Sequence, residues 1–123
     1  MLKNKREIGK EGEEVAADYL RKKGYTIITT NYQKQCGEID IIAEINKTIV
    51  FIEVKYRKQN ALVSAEESIT HIKKQRLIKT ARHYIREEGN KLGNKGFRFD
   101  VIALSGLGEN QTLQHYENAF IVT

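Results

Sequence analysis

Proline is missing from all 123 residues, so no ring blocks a helix or marks a turn. Element boundaries must be read from glycine, asparagine and the period of the apolar residues. Cysteine occurs once, at Cys36, which excludes an internal disulfide and fits a reducing compartment. No apolar run approaches the ~20 residues of a membrane span. The opening "MLKNKREIGKEGEE" is charged throughout and lacks the apolar stretch of a signal peptide. The expectation is a cytoplasmic protein with no membrane partner. Also missing are a glycine-rich phosphate cradle, a serine–histidine triad signature, and metal-ligand spacing among His71, His83 and His115.

What is present suits one domain over residues 1–123: hydrophobic content is 40% and charged content 30%. Lys plus Arg number 21 against 16 for Asp plus Glu, a net charge of +5 that favours anionic partners such as nucleic acid. Residues from about Lys5 to Lys23 read as a helix, with Ile8, Val15, Ala16, Tyr19 and Leu20 on one face and Gly9 and Gly12 on its buried side. Gly24 stops it. "YTIITTNY", Tyr25 to Tyr32, reads as a strand. Ser64 and Glu67 form a capping-box signature. The apolar face then shifts, so a break near Thr70 is expected, with Thr70 capping a second helix to about Glu88. "FRFDVIAL" is a strand, and Thr112 to Phe120 a weaker last one. The fold class is therefore α/β, in the order α-β-β-β-α-β with a further strand. A long helical crossover after a meander gives a mixed sheet.

The segment "GEIDIIAEINKTIVFIEVK" reads as two strands joined at Asn46-Lys47. Opposed residues are then Ile45 with Thr48, Ile41 with Ile52, Asp40 with Glu53, and Glu38 with Lys55. Ile39, Ile41, Ala43, Ile45, Thr48, Val50, Ile52 and Val54 share an apolar face. The other face carries Glu38, Asp40, Glu53 and Lys55 at its open end. Like charges ~4 Å apart repel by about 4 kcal/mol at an effective dielectric near 20. A favourable cross-strand pair returns only about 0.2–1 kcal/mol. Something must offset the repulsion. A divalent cation would balance the cluster, and hard oxygen ligands favour magnesium or manganese. Neutralisation by Lys55, a splayed pair, or one protonated acid would serve as well, and the hairpin alone does not choose between these.

The fuller pattern does favour one. "GKEGEEVAADYLRKKGY", "NYQKQCGEIDIIA", "VFIEVKYR", "KKQRLIKTARHYI", "FRFDVIAL" and "ENAF" together resemble the small bacterial YraN-like proteins. Asp40 followed by Glu53-Val54-Lys55 resembles the PD-(D/E)xK nuclease superfamily, whose αβββαβ, restriction-endonuclease-like core includes the archaeal Holliday-junction resolvases. That resemblance implies a magnesium- or manganese-dependent endonuclease acting on DNA, with branched or damaged DNA among the expected substrates. The alternative it leaves open is a nucleic-acid-binding module that cleaves little or nothing. Carried over by position, Asp40 and Glu53 would hold the metal with the Val54 carbonyl, and Glu13 would add a carboxylate from the first helix. Lys55 would activate water or stabilise charge. Glu38, on the same face of the hairpin beside Lys55, is expected as a supporting partner, an occasional metal ligand or a plain ion pair.

The second helix carries Lys73, Lys74, Arg76, Lys79, Arg82 and Arg86 between His71 and Arg86 without an acid. Phosphate contact is expected for Lys73, Lys74, Gln75 and, from the hairpin's end, Arg57, with Lys74 best placed. Arg98 and Asp100, two apart on one strand, are expected to form an internal salt bridge. Junction-cutting relatives act as dimers, which leaves a homodimer open here.

Overall fold

The computed structural model describes residues 4–57, 70–106 and 108–120. Helix α1 (Lys5–Lys22) starts where the Asn4 side chain accepts from the Glu7 N–H at 2.9 Å and ends with Arg21 and Lys22 against its negative pole. Strands β1 (Thr26–Lys34), β2 (Gly37–Ile45) and β3 (Thr48–Arg57) form a meander. Helix α2 (His71–Glu88) follows, then a 3₁₀ turn, strand β4 (Gly96–Ser105), and short strand β5 (Thr112–Tyr116). The sheet order is β1-β2-β3-β4-β5, antiparallel except for β3 and β4, which run parallel because α2 carries the chain back across the sheet. The expected mixed α/β architecture is what forms. Among the described residues no helix is long and apolar enough to cross a membrane.

Local chemistry accounts for the boundaries. Asn46 and Lys47 both take positive φ, 48° and 61°, the signature of a two-residue turn whose twist suits a hairpin. The register follows: Ile41 pairs with Ile52 and Ile45 with Thr48. Thr70 caps α2, its hydroxyl accepting from the Lys73 N–H at 3.1 Å. The Ser64–Glu67 signature lies outside the described residues. The last strand ends sooner than its sequence suggests, because Asn118 takes φ 52° and turns Phe120 onto the Phe99 ring, centroids 4.8 Å apart.

Each helix covers one face of the sheet. Ala16, Ala17 and Leu20 of α1 close over Ile41, Ala43, Val50, Ile52, Ile102 and Leu104. Leu77, Ala81 and Tyr84 of α2 close over Ile42, Ile49, Phe51, Phe99 and Val101. The phase of α1 departs from the expected stripe: Val15 is 36% exposed and Gly9 is exposed, while Ala17 is buried. Small residues set the approach. A Cβ on Gly12 would stand 3.0 Å from the Tyr56 ring and 3.3 Å from Leu104, so the helix touches the sheet along Gly12, Ala16 and Leu20. That rotation turns Glu13 toward the sheet.

A buried polar cluster locks the far side of the molecule. Asp100, 1% exposed, accepts from Arg98 at 2.8 and 2.9 Å and from the Asn118 N–H at 2.9 Å, with His115 Nε2 at 2.7 Å. Tyr25 and Tyr19 tie Arg98 and His115 in turn to the start of β1 and to α1. Burial alone would raise the Asp100 carboxyl, but His115, Arg98 and Asn118 hold it below its ordinary value. The expected Arg98–Asp100 pair is there, with more partners than the strand spacing indicated. Removing the acid leaves a half-buried guanidinium and the buried His115 without their shared acceptor, so Asp100→Ala should lower unfolding free energy by about 3 kcal/mol in urea denaturation. A loss under about 1 kcal/mol would show the cluster to be incidental.

Candidate functional site

Two strand irregularities create the site. β1 and β2 pair regularly at Thr30–Ile41 and at Tyr32–Ile39, but between them Asn31 and Asp40 do not pair. Asn31 sits in the left-handed region, φ 52°, which asparagine tolerates better than most residues. On the other side, the β2–β3 ladder stops at Ile41–Ile52. Asp40 therefore has no backbone partner opposite it on either strand. Its side chain substitutes: Oδ2 accepts from the Val54 N–H at 2.8 Å, bridging the gap where β2 and β3 part. The expected face-to-face pairing of Asp40 and Glu53 is thus replaced by a fork with the Asp40 carboxylate set into it. The same kink carries Ile39 to the α2 side with Ile42, away from Ile41, with which strict alternation had grouped it.

The helices supply the remaining groups. From α1, Glu13 accepts from Asn31 Nδ2 at 2.8 Å and reaches the Asp40 carboxyl. From α2, Lys73 Nζ lies 2.5 Å from Glu53 Oε1, a carboxylate only 6% exposed. Strand period two puts Glu53 on the α2 face with Phe51, and Lys55 follows it. The fork thus gathers Glu13, Asp40, Glu53, Lys55 and Lys73.

Charge is unevenly satisfied there. Burial, then the Glu53 charge, push the Asp40 carboxyl from 3.8 to about 8 despite the Val54 N–H. Glu13 is also raised, by burial first, with Asn31 and Asp40 opposing. Lys55 is lowered by burial and by the adjacent Lys73 ammonium, against the pull of Glu53 and Asp40. Burial opposes the Lys73 charge too, yet the Glu53 carboxylate outweighs it and the net shift is upward. Three acids meet two ammonium groups in the fork, and Asp40 is the acid that burial and Glu53 drive toward its protonated form.

The remaining expected residues are spread out. Glu38 is exposed and accepts from Gln33 at 3.2 Å across β1–β2. Among the described residues it makes no ion pair with Lys55, and its charge acts on Asp40 and Glu13 from outside. Lys73, not Lys74, reaches the acids. Lys74 lies over the Phe120 ring at 5.7 Å, and Gln75 is exposed on the outer side of α2. Arg57 ends β3 with its Nη2 buried and without a hydrogen-bond partner among the described residues. Asn31 was missed; its signal was an asparagine inside a β-branched run, where a left-handed residue breaks a strand. An apolar hollow of about 520 Å³ beside Phe51, Phe97 and Phe120 includes no carboxylate in its lining. It lies toward the hairpin turn, away from the fork.

Among the described residues no three His, Cys, Asp or Glu side chains converge as a ready-made metal set. Asp40 and Glu53 are a smaller set of hard oxygen donors, and magnesium is commonly held by one or two carboxylates with water completing its shell. The donor chemistry at the fork fits such an ion.

A five-stranded mixed sheet between two helices, with an acid–lysine cluster where its central hairpin opens, defines a small α/β protein with a polar site at one sheet end. The family model described as "Uncharacterised protein family UPF0102" matches residues 12–104, which span every member of that cluster. A UPF0102 protein of Sulfurihydrogenibium sp. (strain YO3AOP1) is 48% identical over 117 residues, covering 95% of this chain and 96% of the relative. Others from Persephonella marina and Alkaliphilus oremlandii are 44% and 38% identical, over 91% and 94% of this chain and 91% and 98% of their own lengths. The chain belongs to the UPF0102 family, in agreement with its YraN-like pattern.

The carboxyl shifts carry a sign for stability. A folded-state pKa above the unfolded value means the native protein holds more protons between the two, so stability falls as pH rises through that window. For Asp40 the window runs from about 4 to about 8, with Glu13 acting in the same sense. In chelator, wild type should therefore lose stability between pH 5 and about pH 8, and Asp40→Asn should lose distinctly less, as read by thermal unfolding. Parallel pH profiles would remove Asp40 as the strained acid.

Proposed function

We propose that this protein is a divalent-metal-dependent nuclease that hydrolyses phosphodiester bonds in DNA, with the β2–β3 fork as its active site, in the manner of the PD-(D/E)xK superfamily. The observation that carries the reading is the Asp40 carboxylate bonded to the Val54 N–H, with Glu53 and Lys55 on either side of Val54 and Glu13 brought in from α1. Asp40, Glu53 and the Val54 carbonyl would hold magnesium or manganese, whose chemistry there is Lewis-acid relief of charge on the phosphate oxygens. Lys55, partly desolvated and lowered in pKa, would orient the attacking water and stabilise charge on the phosphorane. Glu13, fixed by Asn31, would hold Asp40 in place from the α1 side. Nη2 of Arg57, buried and without a hydrogen-bond partner among the described residues, supports an anionic ligand at the end of β3, since such a donor is costly until it meets an acceptor.

A second reading has one observation in its favour. Lys73 already neutralises Glu53 at 2.5 Å, as it would in a module that binds nucleic acid without cutting it. Cleavage of linear and branched DNA in magnesium or manganese separates the two. Asp40→Ala and Lys55→Ala should each reduce cleavage by roughly 10²–10⁴-fold while DNA binding persists. Wild-type binding without metal-dependent cleavage of any form would favour the module.

A further inference from the structure

The inward side of α2 is occupied by Leu77, Thr80, Ala81 and Tyr84, and Lys73 leaves this side to reach Glu53. The outer side carries Lys79, Arg82 and Arg86, and Arg76 stands on its flank beside the start of β2, all four exposed. At helical period these four form one ridge, and the ten steps from Arg76 to Arg86 rise about 15 Å. That length matches the axial rise of four to five base pairs at ~3.4 Å each.

Several cations of the fold are paired; the ridge is not, and it differs from Lys22, Lys23, Lys47 and Lys91, which also lack an acidic partner among the described residues, in standing as one row on one helix. Arg21 is matched by Asp18, Lys34 by Glu87, Lys73 by Glu53, Lys95 by Glu44 and Arg98 by Asp100. None of the four ridge residues has an acidic partner among the described residues. The acids of α2, Glu87 and Glu88, come after the ridge, and Glu87 is taken by Lys34 and Tyr32. Like charges three and four apart on a helix repel one another, and no acid in the first turn favours the helix pole. Open hollows flank the ridge: Lys79, Arg82 and Arg86 border one of about 460 Å³ together with Ile85, and Lys34, Lys79, His83 and Arg86 border another of about 500 Å³ together with Gln35 and Cys36.

The partner must supply a row of negative charge. An anionic membrane is disfavoured, because an interfacial helix needs a free apolar face and α2 spends its own on the sheet. An acidic protein would be anchored by apolar side chains within the row, whereas the apolar neighbours here, Ile85 and the hollow beside Arg82, lie to one side of it. A nucleic-acid backbone needs only spaced cations. We propose that Arg76, Lys79, Arg82 and Arg86 form a sequence-independent site for the backbone of duplex nucleic acid, on the outer side and flank of α2. It rests on the nuclease reading for its class of partner alone; no part of it needs the fork to cut.

The test uses the full chain in chelator, where cleavage is silent, with a fluorescent duplex DNA and anisotropy across a salt series. Replacing all four ridge residues by Gln should weaken binding at every sequence tried and reduce the slope of log K against log salt by about 3 to 4, near 0.9 per phosphate contact. A control with Lys22, Lys23, Lys47 and Lys91 replaced by Gln removes the same charge from other exposed positions and should leave the slope near wild type. An unchanged slope in the ridge variant, or equal losses in both, would overturn the assignment. So would ridge-dependent binding to phosphatidylserine vesicles without DNA binding. Wild-type cleavage with a ridge-independent slope would sink this proposal and spare the nuclease. Ridge-dependent binding without cleavage would do the reverse.

Discussion

A carboxylate oxygen accepting one backbone N–H at 2.8 Å holds the centre of this molecule in its shape. Where β2 and β3 stop pairing, each strand would leave a polar group without its ladder partner, and Asp40 fills one such vacancy with its side chain. The substitution is local but its effects are not. It lets two strands of one hairpin diverge while still joined, which opens room at the sheet end for Glu13 from α1 and Lys73 from α2. It also fixes a carboxylate in a place where water is scarce and another acid is close.

Two acids in this sheet show what their neighbours decide. Asp100 is nearly sealed from water yet held low, because a guanidinium, an imidazole and a backbone N–H all meet it. Asp40 receives one N–H and the repulsion of Glu53, and is driven up. The first arrangement ties β4 to β5, α1 and the start of β1. The second is tense, and a small fold keeps such a group more readily when it has work for it. Lys73 and Lys55 relieve the tension only in part, since burial works against both ammonium groups.

Much of the fold could be read because particular residues leave few options. Asn46-Lys47 admits a tight turn and so sets the hairpin register, and Thr70 caps α2 where the apolar face changes. That register also put Asp40 and Glu53 at the open end of the hairpin, although the ladder stops one pair short of opposing them. What escaped depends on departures from ideal period. The Asn31–Asp40 kink is marked in the sequence by one asparagine in a β-branched run, too little to disturb a strand's period, so the fork was foreseen as a face-to-face pair. The phase of α1 was set by contact at Gly12, a packing event that periodicity cannot weigh, and Val15 was misplaced with it. Lys73 and Lys74 differ by one helical step, and only the docked helix tells which enters the fork.

The central claim is that the fork exists to hold a cation between Asp40 and Glu53, and crystals grown in manganese test it through anomalous scattering. The account predicts a peak bonded to both carboxylates, with the Lys73 ammonium moved off Glu53. Saturating manganese with no peak there, and Lys73 still seated on Glu53, would contradict it.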